Sequence, residues 1–129
     1  MKMTFDKNGL VPLVLQDQQT KQVLSLVYAS REAMEKMLQT GEVWRFSRSQ
    51  GKLMRKGETS GNLQKIVELQ YDCDADAVLA IVEQVGKGAC HTGQWFCFSK
   101  QKMRSYASLD ELCRVISERK TNPLAKSYV

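Results

Sequence analysis

The chain has no apolar run near the roughly 20 residues needed to span a bilayer, which excludes a transmembrane helix. Its opening, Met1 to Leu10, lacks the apolar stretch between a basic start and a small-residue cleavage site that marks a secretory signal. A cytoplasmic location is therefore expected. Internal repeats and low-complexity segments are missing. So is a dominant charge: 19 Lys and Arg against 14 Asp and Glu leave +5. That surplus favours an anionic partner (nucleic acid, phospholipid or a phosphorylated small molecule) and is too mild to choose among them. Histidine occurs once, at His91. What remains is ordinary for one globular domain: 129 residues, 43% hydrophobic and 26% charged, too apolar for a disordered chain. The four cysteines, Cys73, Cys90, Cys97 and Cys113, belong to an expected reducing compartment. Metal ligation, catalysis or core packing then outrank disulfides.

Hydropathy patterning predicts an α+β fold: a small, mostly antiparallel sheet with one internal helix and a C-terminal helix. Leu13–Gln16 and Val23–Ala29 read as a hairpin, with Pro12 just before the first strand. Ser30 is a helix N-cap and Gly41 its stop. Between them Ala33, Met34, Met37 and Leu38 form an apolar face. Val43–Phe46 reads as a short strand, Ser47–Asn62 as a polar loop, and Leu63–Tyr71 and Ala77–Val82 as strands. Gln84–Gly93 reads as a turn-rich loop and Trp95–Phe98 as a final strand. Ser108 and Glu111 make a capping box for a helix running to about Lys120, with Leu109, Leu112, Val115 and Ile116 on one face. Cys113 reads as core.

Asp72-Cys73-Asp74-Ala75-Asp76 is the first unusual feature. If extended, it places Asp72, Asp74 and Asp76 on one side and Cys73 on the other. Three crowded carboxylates repel unless a cation joins them. Oxygen ligands suit Mg²⁺ or Ca²⁺, and a thiolate suits Zn²⁺. The spacing imitates an EF-hand opening, with Glu83 at the twelfth position, but Ala77 stands where the tight turn needs glycine. The plainer alternative is a solvated acidic turn. Cys90-His91-Thr92-Gly93 precedes Cys97. Cys73, Cys90 and Cys97 make three potential zinc ligands, the number a catalytic zinc uses when it keeps an open position. His91 is a fitting base beside it. The plainer alternative is two buried cysteines and a surface histidine. Ser47, Arg48 and Ser49, then Lys56, Glu58, Thr59, Ser60 and Asn62, supply hydroxyls, cations and amides that suit phosphate. No Walker A pattern is present. An exposed loop is the alternative, as is a nucleic-acid surface with Trp44, Phe46 and Trp95 stacking on bases.

The runs SRSQGKLMRKGETSGN, DCDADA and ACHTG…CF, with the opening FDKNGLVP, closely resemble the phosphoribosyl-AMP cyclohydrolases of histidine biosynthesis, from about Phe5 to Phe98. The resemblance implies hydrolytic opening of the adenine ring of N1-(5-phosphoribosyl)-AMP at the C6–N1 bond. It implies an intertwined homodimer, with zinc held by Cys73 of one chain and Cys90 and Cys97 of the other. Magnesium would lie on Asp72, Asp74 and Asp76, and His91 would be the base. The family commonly has Trp at Phe46 and Met54, and Ser at Phe96. Residues 1–106 are then the cyclohydrolase domain. The tail, 107–129, resembles the first helix of a phosphoribosyl-ATP pyrophosphohydrolase module, without the downstream carboxylate helices such an enzyme needs. A zinc-stabilised nucleic-acid-binding module is the rival reading; Cys113 as a fourth zinc ligand would favour it.

Overall fold

A computed structural model describes residues 2–58, 60–86, 88–90, 95, 97–98 and 109–121, with side chains for 112–120 of the last segment. The chain divides into two units, Met1–Ser99 and Lys100–Val129. In the first, β1 (Leu10–Asp17) and β2 (Val23–Ser30) form the expected hairpin. The Asp17 carboxylate closes its turn by accepting from Thr20 N at 2.8 Å and Thr20 Oγ1 at 2.9 Å. Pro12 lies inside β1, not before it. Pairing of β1 with its other neighbour begins only at Leu13, so the missing donor falls where β1 has one partner.

Helix α1 (Arg31–Thr40) starts where Ser30 Oγ accepts from Ala33 N at 3.1 Å. It ends at Gly41, whose left-handed backbone lets its N–H reach Met37 O at 2.9 Å. Ala33, Met34 and Met37 are buried as the periodicity predicts, but Leu38 is 68% exposed and does not join that face. Strand β3 (Trp44–Ser47) pairs with β4 (Lys52–Arg55) as a separate two-stranded ribbon. β4 was not expected: it lies within the stretch read as a loop, and its Lys-Leu-Met-Arg sequence is too short and polar to show alternation. β5 (Gln64–Tyr71) and β6 (Val78–Gln84) complete a four-stranded sheet in the order β2-β1-β6-β5. The two outer pairings are antiparallel, while β1 and β6 run parallel at its centre. The fold is thus α+β with mostly antiparallel strands. Leu13, Leu15, Leu24, Met37, Val43 and Val82 are fully buried and centre the core.

The ribbon is sutured to the sheet by backbone bonds. Ile66 N donates to Gly41 O at 2.7 Å and Val43 N to Gln64 O at 3.0 Å, while Lys56 N to Val43 O at 2.9 Å extends the ribbon itself. At the expected strand Trp95–Phe98 no described residue is in a strand. Trp95, Cys97 and Phe98 lie in bends and turns, fixed by Ala89 N to Trp95 O and Cys97 N to Leu24 O, each 2.8 Å. In the second unit α2 (Leu109–Thr121) carries an Arg114–Glu118 ion pair one turn apart. Val115 is buried, while Leu112 and Ile116 are 42% and 47% exposed. Cys113 is exposed as well, against the expectation that it packs in a core. The Ser108 cap lies outside the described residues, as do Thr59, His91 and Phe96. No described helix is long and apolar enough to cross a membrane.

Candidate metal and substrate site

The acidic segment is not extended. It is the turn between β5 and β6, with Ala75 in the left-handed region at φ 59°. The Asp72 carboxylate organises that turn by accepting from Asp76 N at 3.0 Å and Ala77 N at 3.2 Å. Strand alternation therefore does not separate the ligands of Asp72–Asp76 onto two faces. The turn itself converges the aspartates: Asp72, Asp74 and Asp76 each offer an oxygen within 4.8 Å of the others. Desolvation pushes the Asp72 carboxyl up, but the hydrogen bonds it receives outweigh this and hold it below the usual carboxylate range. Asp76 is pushed up to about 6, first by hydrogen bonding with Asp74 and then with Asp72, with desolvation and both neighbouring charges adding to it. Below about pH 6 the cluster retains a proton on Asp76, which a divalent cation would displace. The donor set, three carboxylate oxygens, fits a hard cation such as Mg²⁺.

The thiols divide differently. No disulfide joins the four cysteines. Cys97 and Cys90 interact directly, and the Cys97 thiol is pushed up by burial, then by Cys90, while Lys56 opposes the shift. Lys56 reaches across 33 residues to this loop, donating from Nζ to Ala89 O at 2.7 Å. Burial pushes the Lys56 ammonium below its ordinary range and Arg45 adds to this; Cys97 and Cys90 act against it. Cys73 is exposed on the acidic turn. Among the described residues the Asp72–Asp74–Asp76 cluster is the only group of three metal-ligating side chains, so Cys73 does not join Cys90 and Cys97 within one chain. Two neighbouring thiols fit a soft ion as part of a ligand set and leave it incomplete.

Beside Cys90 lies a cavity of about 300 Å³ lined by Arg45, Met54, Arg55, Lys56, Gly57, Glu58, Ser60, Asn62, Ala89 and Cys90. The basic loop and a thiol thus meet on one wall. The loop is built for close approach: a Cβ at Gly57 would lie 2.5 Å from the Asn62 carbonyl carbon, and one at Gly86 2.2 Å from Asn62 Oδ1. Gln84 Nε2 also donates to Val85 O at 2.9 Å and Leu63 O at 3.3 Å, holding the loop's exit. A second cavity of about 310 Å³ is lined by Leu26, Val27, Tyr28, Arg45, Phe46, Ser47, Arg48 and Ser49. Arg48 lies over the Tyr28 ring at 4.0 Å. Ser47 is buried and serves the β3–β4 turn, its Oγ accepting from Gln50 N at 3.3 Å and lying 3.3 Å from Ser49 Oγ. Arg45 lines both cavities and escaped the sequence reading. Its only signal is a charge placed between two aromatics in Trp-Arg-Phe-Ser.

The family model for phosphoribosyl-AMP cyclohydrolase matches residues 25–99, more than half of the chain. The chain belongs to the phosphoribosyl-AMP cyclohydrolase family. A phosphoribosyl-AMP cyclohydrolase of Archaeoglobus fulgidus is 52% identical over 101 residues, 78% of this chain and 93% of that protein. One from Rhodopseudomonas palustris is 43% identical over 123 residues, 95% of this chain and 82% of the relative. A histidine biosynthesis bifunctional protein of Lactococcus lactis is 48% identical over 130 residues, 99% of this chain and 61% of the relative. The chain spans about six-tenths of the length of such bifunctional relatives. The matched cyclohydrolase segment contains the acidic turn, Cys90, Cys97 and the residues of both cavities.

Proposed function

We propose that the chain hydrolyses N1-(5-phosphoribosyl)-AMP, opening the adenine ring at C6–N1 to the formimino aminoimidazole carboxamide ribotide. The observation that carries this reading is the cavity in which cations, hydroxyls and a close-packed glycine loop meet the Cys90 thiol, inside the family-matched segment. In this reading Cys73, Cys90 and Cys97 hold Zn²⁺, and Asp72, Asp74 and Asp76 hold Mg²⁺. Zinc supplies the Lewis acidity that makes water a nucleophile at neutral pH. Cys73 comes from one subunit of a homodimer and Cys90 and Cys97 from the other; that Cys73 forms no three-ligand group with Cys90 and Cys97 among the described residues supports this.

Alkylation at N1 leaves the ring an electron-poor amidine, so attack at C6 needs a base more than a strong acid. His91 accepts the proton from the attacking water. Lys56 fixes the Cys90 loop, while Ser60, Asn62 and Glu58 face the substrate from the loop and Ser47, Arg48 and Ser49 bound the second cavity. Thr59 belongs to the same loop. Holding both phosphates turns the reaction into a positioned, nearly unimolecular one. Residues 1–106 carry this activity in a cytoplasmic enzyme. The tail, 107–129, resembles the first helix of a pyrophosphohydrolase module, and the ring-opening chemistry draws on no residue of it. The test is to supply phosphoribosyl-AMP and follow ring opening by ultraviolet absorbance. A folded, zinc- and magnesium-loaded protein that leaves the absorbance unchanged overturns the reading.

A further inference from the structure

Three cations line the cavity beside Cys90, and two are already engaged. Arg55 Nη1 donates to Glu42 Oε2 at 3.2 Å, and Lys56 Nζ donates to Ala89 O at 2.7 Å. Arg45 has no carboxylate partner among the described residues. Its Nη2 lies 4.0 Å from the sulfur of Met54, its cross-strand neighbour. It stands near enough to Lys56 for the two positive charges to oppose each other. Glu58, the one carboxylate on that wall, is exposed and forms no ion pair among the described residues. The second cavity, which Arg45 also lines, has no acidic residue on its wall and carries Arg48. Partly desolvated like charges without a counter-ion are unfavourable, and a bound polyanion removes the cost.

We propose that Arg45 is a specificity-determining residue whose guanidinium, standing between the two cavities, selects a ligand with two separated phosphates, one seated in each cavity. The proposal rests on the substrate reading above and adds to it the residue that measures phosphate number. A guanidinium presents five N–H donors in a rigid planar fork, so one side chain can serve anions on two sides. A ligand with one phosphate fills one cavity and uses only part of that fork.

The experiment compares the full chain with Arg45→Met and Arg45→Lys. Turnover of phosphoribosyl-AMP gives KM and kcat. Equilibrium dialysis against phosphate-labelled phosphoribosyl-AMP counts the two-phosphate ligand whether or not its ring has opened, and AMP is the one-phosphate comparison. Arg45→Met should raise KM and weaken the two-phosphate ligand roughly 10- to 100-fold, the loss of charge-assisted hydrogen bonds. It should leave kcat nearly unchanged and weaken AMP much less. Arg45→Lys should fall between. Equal losses for AMP and the two-phosphate ligand, or an unchanged KM, overturn the proposal. Should Arg45→Met fail to fold by circular dichroism, Arg45→Lys decides: selectivity identical to the unsubstituted chain overturns it. A chain that binds the two-phosphate ligand through Arg45 without opening its ring supports this proposal while the catalytic reading falls.

Discussion

Gly57 and Gly51 both sit in the left-handed region, at φ +82° and +64°, yet their surroundings differ. Around Gly51 nothing lies within 4 Å of a would-be Cβ. At Gly57 a Cβ would run into one peptide group: Asn62 C at 2.5 Å, and Asn62 O and Leu63 N at 2.6 Å. The left-handed backbone costs an alanine about 1–2 kcal/mol, offset by about 0.4–1 kcal/mol through a less free unfolded chain. Gly51→Ala should therefore lower stability by about 1 kcal/mol. Gly57→Ala carries the same cost and must also push its own backbone away from the Asn62–Leu63 peptide, adding about 1–3 kcal/mol as overpacking does. Urea unfolding followed by tryptophan fluorescence measures both. With a slope of about 1–3 kcal/mol/M the two midpoints should differ by roughly 1 M. The clash also displaces Ser60 and Asn62 from the cavity wall, so Gly57→Ala should raise KM where Gly51→Ala does not. Equal destabilisation by the two alanines would refute the argument, because it would mean the loop yields without cost.

Lys56→Met removes the 2.7 Å bond to Ala89 O and should weaken zinc binding roughly 10- to 100-fold in a chelator competition, as loss of a supporting hydrogen bond does; an unchanged affinity would free Lys56 from that role. Asp74→Asn should weaken the response to Mg²⁺ and leave zinc content intact, since its ligand cluster contains no cysteine; parallel loss of zinc counts against two separate sites. Asp76 is raised from 3.8 to about 6, so the folded state holds that proton more tightly than the unfolded chain, and the associated stability is lost as pH rises across this window. Mg²⁺ needs the proton gone, so its affinity should rise over the same window and flatten a plot of Tm against pH; a pH-independent affinity between 5 and 7 contradicts a proton retained on Asp76. Cys73→Ser and Cys90→Ser should each be inactive, and co-expression should restore roughly a quarter of the activity through mixed dimers with one intact site; folded mixed dimers without activity contradict a shared zinc.

Most of the sheet was legible because its strands are half-buried and alternate, as in β1, where Val11, Leu13 and Leu15 are fully buried. Helix α1 was legible at both ends because Ser30 and Gly41 do their work locally. Two strand errors share a cause: backbone partners, not a segment's own composition, decide whether it is a strand. β4 is made a strand by the register Trp44↔Arg55 to Ser47↔Lys52, not by its own composition. Trp95, Cys97 and Phe98 look like a strand by composition, but Cys97 is tied to Leu24 by one backbone bond rather than a ladder. At the site, residue types were readable and placement was not. Asp72, Asp74 and Asp76 suggested a cation because three like charges crowd together at any geometry, whereas the turn that gathers them depends on Ala75 adopting φ 59°. Arg45 was missed because a lone arginine on a strand has no pattern; its meaning comes from two cavities that meet at it.

The acidic turn joins two chemistries that one chain keeps apart. Its three carboxylates converge on each other, an oxygen donor set of the kind a hard cation takes, gathered within one turn. Its thiol, Cys73, has no such company: Cys90 and Cys97 approach each other from a loop held by Lys56 and by the Leu24 carbonyl. Two thiols bind zinc poorly and one alone binds it worse, so neither half explains itself in isolation. Bringing the turn of one copy to the loop of another would complete a three-thiolate set with a position left for water. It would also carry the aspartates, on the same five-residue turn, toward the cavity beside Cys90. A dimer of this kind would make the hard-ion and soft-ion donors parts of one site rather than two accidents of composition. In the proposed reading the active unit would be the pair of chains, so complementation between Cys73 and Cys90 variants tests the site more directly than either loss alone.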